Sequence, residues 1–289
     1  MDFDYEDEDD KPDHKEAHQP VGEIVSAKDV LPSVITLLPQ TSRPFFPGQA
    51  IPLVVEGQLW SDTIKAAVES QHSVLGLILV RSETAEEAGA SDFYPMGTAC
   101  RVHKVQNVDG KLQVLLEGLQ RFSIDSWVSR ATPFTARVSY HPEAPYDNAS
   151  EVKAYAVAII NTIKELVPLN PLYGEELKIF LEHFTPDDPS YLADFAASLT
   201  TSGPEELQKV LETTQILPRL EKVLLLINKE LELAKAQMKI RRKVEEELQS
   251  RQREVFLREQ LKAIQKELGI AKDDRTADID RFRERIEAL

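Results

Sequence analysis

The 289-residue chain holds a single cysteine, Cys100. No internal disulfide can form, and a reducing, cytoplasmic setting is the expectation from that usage. Long apolar runs are missing as well. Nothing approaches the roughly 18–20 uninterrupted apolar residues that a membrane-crossing helix requires. The opening MDFDYEDEDDKPDHKEAH is acidic and has no apolar centre, so neither a secretory nor a mitochondrial leader is expected. There is no GxxxxGK followed by Ser or Thr to cradle phosphates, and no GxSxG turn to present a nucleophile. His14, His18, His72, His103, His141 and His183 are scattered without metal-ligand spacing, except that His14 and His18 lie four apart within the acidic tail. Cys100 sits in a strand-like stretch, where it reads as a small buried hydrophobe rather than a nucleophile. The adjacent acids Asp187 and Asp188 read as helix capping. No catalytic, cofactor-binding or metal-binding residue is therefore expected in these 289 residues.

Positive charge is also in short supply, with a formal net charge of −15. Residues 1–18 carry nine acidic residues against two lysines, and residues 1–30 read as a disordered acidic tail. A net-acidic body repels phosphate backbones, which argues against nucleic acid as a main partner. One basic cluster, KIRRK at Lys239–Lys243, keeps that rival open. Glu245, Glu246 and Glu247 follow it at once, as on a solvated helical face.

What is present divides into strands and then helices, an α+β pattern. From residue 31 to about 145 the short apolar runs SVITLLP, AIPLVVE and SVLGLILVR are punctuated by proline and glycine. Between the last two, WSDTIKAAVES places Trp60, Ile64, Ala67 and Val68 on one face of a single helix. Two alternating segments in GTACRVHKVQNVDGKLQVLLEGLQRFSI meet at Asp109–Gly110, a dipeptide suited to a tight hairpin turn. FTARVSY adds a further strand, so a twisted half-barrel or sandwich of five to seven strands is expected. Glu117 and Arg121, four apart in a strand, are expected to share a face as a stabilising pair.

Residues 146–217 read as a helical bundle. Val152, Tyr155, Val157, Ala158, Ile159 and Ile163 supply one apolar face. Asp188–Pro189 and Ser202–Gly203–Pro204 mark two helix starts, the second followed by Glu205 and Glu206 at the positive end of the helix dipole. Glycine and proline are then absent from Arg219 to Leu268, enough for one helix of about 75 Å. Within residues 218–270, Leu220, Leu224, Ile227, Leu231, Ala234 and Met238 follow 4–3 spacing, a seam expected to pack on the chain's own bundle. A charged middle follows. Leu257, Leu261, Ile264 and Leu268 then form a second seam, with no partner left in the chain and hence a candidate for assembly.

Three stretches resemble one family. REVFLREQLKAIQKELG, Arg253–Gly269, is similar to the linker helix that leads into the ATPase module of Lon proteases, the ATP-dependent serine proteases. LLEGLQRFSI, Leu115–Ile124, resembles the VEGLQR strand of that family's N-terminal β domain. LLPQTSRPFFPGQAIPLVV, Leu37–Val55, resembles its opening LPLR…FPG…PL segment, departing from it at Pro39–Arg43. The resemblance spans about residues 31–289 and implies a PUA-like β subdomain, a helical bundle and a long helix. Residues 271–289 would begin the segment leading to an ATPase module. That module, with ATP and Mg, and a Ser–Lys protease domain would lie outside this chain, which reads as a fragment cut in the linker.

The function implied is capture of unfolded or degron-bearing proteins, in an enzyme that assembles as a hexamer. Phe45, Phe46, Phe93 and Tyr94, beside prolines in loops, either contact such substrates or complete the β core. A stand-alone PUA-like protein, a nucleic-acid-interaction module or an oligomerisation scaffold is the alternative.

Overall fold

The computed structural model describes residues 31–55, 58–70, 72–108, 111–169, 188–268 and 274–288. The acidic tail and the Asp109–Gly110 turn lie outside these residues. In chain order the elements are β1 (Val34–Gln40), β2 (Ala50–Val55), α1 (Gln58–Glu69), β3 (Val74–Leu79), β4 (Met96–Val108), β5 (Lys111–Ser129) and β6 (Phe134–His141). The helices α2 (Ala149–Leu166), α3 (Pro189–Leu199), α4 (Pro204–Leu211), α5 (Ile216–Glu267) and α6 (Asp274–Glu287) follow.

The sheet order is β2-β5-β4-β3-β1-β6, and β5 also pairs with β6. Five strands therefore close into a barrel, where a half-barrel or sandwich was expected, and β2 stays outside as an edge strand. Closure depends on the 19-residue length of β5. One edge of β5 pairs with β4 from Lys111 to Ser123. Its other edge pairs with β2 up to Glu117 and then with β6 from Arg121 onward. Register shifts between Ile124 and Ser126 and between Trp127 and Ser129 bend the strand across the barrel, as bulges do. Among the described residues only β1 and β3 run parallel, and β3, flanked on both sides, is buried along its whole length.

The barrel core gathers Leu37, Leu75, Ile78, Leu116 and Phe122, covered at one side by Trp60, Ile64 and Ala67 of α1. Val68, expected on the same face of α1, is exposed. Cys100 is buried in this core, and burial pushes its thiol far up, which makes it an inert hydrophobe.

A second core joins α2, α3, α4 and the start of α5. In α2 the buried face runs through Val152, Ala156, Ile159, Ile160 and Ile163, while Val157 is exposed. The Asp188 side chain accepts the Tyr191 N–H at 3.0 Å, capping α3, and Pro189 takes its first position. Pro204 likewise opens α4, followed by Glu205 and Glu206.

Helix α5 is continuous for 52 residues. It starts two residues before Pro218, which the first turn tolerates because the N–H there has no intrahelical partner. Its buried stripe is Ile216, Leu220, Val223, Ile227, Leu231 and Ala234. That stripe is rotated slightly from the expected seam: Leu224 is half-buried and Met238 is 51% exposed. From Lys235 to Leu268 every residue is exposed. Among the described residues, no helix is long and apolar enough to cross a membrane.

Candidate functional site

The barrel and the bundle meet at a buried ionic joint. Arg121 of β5 and Asp194 of α3 are each 2% exposed, with Nη2 and Oδ1 2.5 Å apart. Arg121 Nε also donates to the Leu211 carbonyl at the end of α4, at 2.9 Å. Arg219 of α5, fully buried, holds the Glu143 carboxylate with both Nη atoms at 3.1 and 3.0 Å. It also donates to Ser190 Oγ and to the Thr213 and Thr214 carbonyls. Burial pushes the Glu143 carboxyl up. Hydrogen bonds with Arg219 and Ser190 and the charges of Arg219 and Arg121 outweigh that and hold it below its ordinary value. Burial raises the Asp194 carboxyl above its ordinary value, against the pull of the same two guanidinium groups. Each charge is paired, as buried charges must be to be tolerated.

Apolar and backbone contacts reinforce the joint. Phe45 and Phe46 are consecutive in an extended segment, and they enter different cores: Phe45 the barrel, Phe46 the bundle. Gly48 has φ +76°, a region L side chains rarely occupy, and a Cβ there would lie 2.5 Å from the Tyr191 ring. A Cβ on Gly118 would lie 2.6 Å from the Phe46 carbonyl oxygen. Arg43 reaches the Ser198 carbonyl at 3.1 Å, and Gln208 Nε2 donates to the Met96 carbonyl at 2.9 Å.

Of the two readings open for Phe45, Phe46, Phe93 and Tyr94, substrate contact or completion of a core, burial supports the second for the three phenylalanines. Phe93 is buried and packs on Trp127 and Phe134, with ring centroids 5.1 and 4.9 Å apart. Tyr94 alone is partly accessible, beneath the Arg81 guanidinium, which sits 4.2 Å from its ring centroid. Proline beside an aromatic marks a loop, but it does not say which way the ring turns. The Glu117–Arg121 pair is corrected. Ala99 opposes Gln120 while Cys100 opposes Gly118, so Leu119 is an extra residue in β5 and the two side chains fall on opposite faces. Glu117 instead meets His103 at 2.5 Å on the surface.

Among the exposed apolar residues described, two surfaces bear on function. The first lies on the flap where β2, β5 and the end of β4 extend beyond the barrel. Pairing registers place Pro52, Val54, Val108 and Leu115 on one exposed face, interspersed with Lys104, Gln106, Lys111 and Gln113. The outer edge of β2 pairs with no other strand among the described residues. In sequence AIPLVVE reads only as a short apolar run; it is the register that sets Pro52 beside Leu115 on this face. The second surface is the distal half of α5. Leu257, Leu261, Ile264 and Leu268 are 52–65% exposed. At 100° per residue their stripe lies about 130° around the helix from the buried one. It is a separate face. The basic cluster in the same half is neutralised locally: Arg241 and Arg242 pair with Glu245 and Glu246 at 3.4 and 3.1 Å. Among the described residues, no group of three or more His, Cys, Asp or Glu is placed to hold a metal ion.

Residues 34–229 match the family model for the substrate-binding domain of ATP-dependent protease La (Lon). Lon protease 2 of Hydrogenovibrio crunogenus is 45% identical over 277 residues, a match covering 96% of this chain and 32% of that protein. Lon protease of Magnetococcus marinus is 46% identical over 270 residues, covering 92% of this chain and 33% of that protein. The chain thus spans about a third of the length of these relatives. Among solved structures, the N-terminal domain of a Mycobacterium avium complex Lon protease shares the fold, with a TM-score of 0.55 at 20% identity. That likeness covers 68% of this chain and 98% of the other. The closed barrel riveted to a helical bundle and the family match over both units lead to one statement: this chain belongs to the Lon protease family, in the region of its substrate-binding domain.

Proposed function

We propose that this chain is the substrate-capturing head and spacer of an ATP-dependent Lon-type serine protease. The head holds unfolded or degron-bearing polypeptides, and α5 sets its distance from the ATPase pore. ATP and Mg serve the ATPase module, and a Ser–Lys dyad serves the protease domain; neither role falls to residues of this chain. The Leu257–Leu268 stripe packs against a neighbouring subunit or that module in a hexamer, in a reducing, cytoplasmic setting.

The observation that carries the reading is the flap. Pro52, Val54, Val108 and Leu115 stand exposed on one face of it, among Lys104, Gln106, Lys111 and Gln113, beside a strand edge that pairs with no other strand among the described residues. Unfolded chains expose apolar side chains and free backbone groups, and such a surface can take both. Reduced, carboxymethylated α-lactalbumin, a permanently unfolded chain, serves as the probe in fluorescence anisotropy. Val54→Asp and Leu115→Asp, both at exposed sites, are expected to weaken binding at least about tenfold, roughly 1.4 kcal/mol, while leaving the melting temperature unchanged. Unchanged affinity in both variants overturns the flap as the contact.

A further inference from the structure

The flap face is amphipathic, and its register sets each lysine against an exposed apolar neighbour. Lys104 lies opposite Leu115, and Lys111 opposite Val108. Val54, Val108 and Leu115 are 49%, 44% and 40% exposed. No carboxylate stands between these pairs, where the intervening rung is Gln106, Gln113 and Val54. The next acid along β5, Glu117, is drawn to His103. The result is a cationic, half-apolar spot on a body that is itself net acidic. Such a spot fits a polypeptide that mixes carboxylates with large apolar side chains. The basic run Lys239–Lys243 offers no equal attraction, because Glu245 and Glu246 already pair with Arg241 and Arg242.

One segment of the chain has that chemistry. Asp2, Asp4 and Glu6 alternate with Phe3 and Tyr5, and Asp7–Asp10 extend the acidic run. The tether is long enough to bring it there. The Val138 N–H donates to the Ser33 carbonyl at 2.9 Å, and the Tyr140 hydroxyl to that of Pro32 at 2.7 Å, so the chain enters the head beside β6. Ser139 of β6 opposes Ser123 of β5. Leu115 lies eight residues earlier on β5, about 26 Å away at roughly 3.3 Å per residue. Residues 7–30 separate Glu6 from Leu31, and a flexible linker of that length has a root-mean-square span of about 25–30 Å. Matching spans give a tethered group an effective concentration in the millimolar range. We propose that the acidic segment Asp2–Asp10 docks on the flap face of its own chain, with Phe3 and Tyr5 against the apolar side chains and the carboxylates towards Lys104 and Lys111. The consequence for capture rests on the reading of the flap as the polypeptide contact. The tail is then a competitor carried by the head itself. A polypeptide that makes few contacts is turned away, and one with long apolar stretches displaces it.

The test uses the full chain with ¹³C-labelled valine and leucine methyl groups and a nitroxide spin label at Pro12→Cys, the buried Cys100 staying unlabelled. Methyl signals of Val54, Val108 and Leu115 are assigned by their loss in alanine variants and followed by nuclear magnetic resonance. Val157 of α2 and Leu225 of α5, 42% and 71% exposed, serve as references. Occupancy of half or more, as that effective concentration gives, is expected to lower the three flap signals at least about twofold against the reduced label and to leave the references in place. Lys104→Glu, the pair Phe3→Ser and Tyr5→Ser, and about 0.5 M salt should each restore them. Flap signals that ignore the label, or that fade no more than the references, overturn the proposal. Broadening of an isotope-labelled chain by a separately spin-labelled one gives the seat to a neighbouring copy's tail and overturns docking within the chain. Unfolded α-lactalbumin separates this proposal from its parent. Flap signals that ignore the label, while Val54→Asp still weakens α-lactalbumin binding, remove the tail alone. A docked tail on a chain that α-lactalbumin neither binds nor frees removes the parent reading.

Discussion

Helix α5 is one uninterrupted element whose two halves live in different environments. Up to Ala234 it buries a stripe against α2, α3 and α4 and carries Arg219 into the joint; from Lys235 onward every residue is exposed, and Lys235 itself still pairs with Glu165 of α2 at 3.7 Å. Both halves show 4–3 apolar spacing in the sequence. The difference teaches that such spacing identifies a sticky stripe, not what covers it. The first half is held by tertiary packing. The second depends on its own hydrogen bonds and on pairs such as Arg242–Glu246 and Arg258–Glu254, at 3.1 and 2.8 Å, each worth about 0.2–0.5 kcal/mol.

The largest expected effect comes from unseating the anchored half. Asp194→Ala leaves Arg121 and Arg219 buried with too little counter-charge, and is expected to cost about 3–5 kcal/mol in urea unfolding. A loss under about 1 kcal/mol would mean that the joint is not what fixes the bundle to the barrel. Next comes a matched pair of truncations along the helix. Ile227→Ala, in the buried stripe, should cost about 2–5 kcal/mol, whereas Ile264→Ala, exposed at the far end, should stay within about 0.5 kcal/mol in dilute protein. Similar costs at the two positions would erase the contrast between the halves.

The smallest effect is a pH dependence at the joint. The Glu143 carboxyl is held below its ordinary value, so its stabilising contribution is complete above the unfolded-state pKa of about 4.3 and fades as pH falls through the lower folded value. Glu143→Gln should therefore be less stable than the parent at pH 7, by about 1 kcal/mol for this half-exposed partner, with the gap closing towards pH 3. Asp194, raised chiefly by burial, shifts stability the other way; the Glu143 charge adds to that rise, so Glu143→Gln relieves part of it. Chemical denaturation at several pH values measures the gap, and a gap that widens with acid contradicts the assigned role.

Much of the fold was legible because local signals agreed with the global arrangement. The six strands, the capped start at Asp188, the proline start at Pro204, and the long glycine-free and proline-free run from Arg219 each announce themselves through residue type and period. Closure of the barrel did not. It depends on β5 handing its edge from β2 to β6, a long-range pairing that no window of sequence contains. The candidate surfaces were less legible still. Phe45 and Phe46 are identical neighbours, yet they enter separate cores, and only the tertiary arrangement distinguishes them. Arg121, Asp194 and Arg219 look like ordinary surface charges in their own segments. Their burial becomes visible only when a strand and two helices separated by up to 98 positions converge. The flap's exposed face is likewise a product of register and packing.

The central claim is that α5 runs straight out of the head with its distal half uncovered. Spin labels at Glu232→Cys and Lys262→Cys, thirty residues apart, measure this directly by pulsed electron resonance, with the buried Cys100 left unlabelled. A continuous helix places the two backbones about 45 Å apart, and a single narrow distribution near that distance is the predicted result. A broad distribution centred far below it, as from a distal half folded back onto the bundle, would contradict the account.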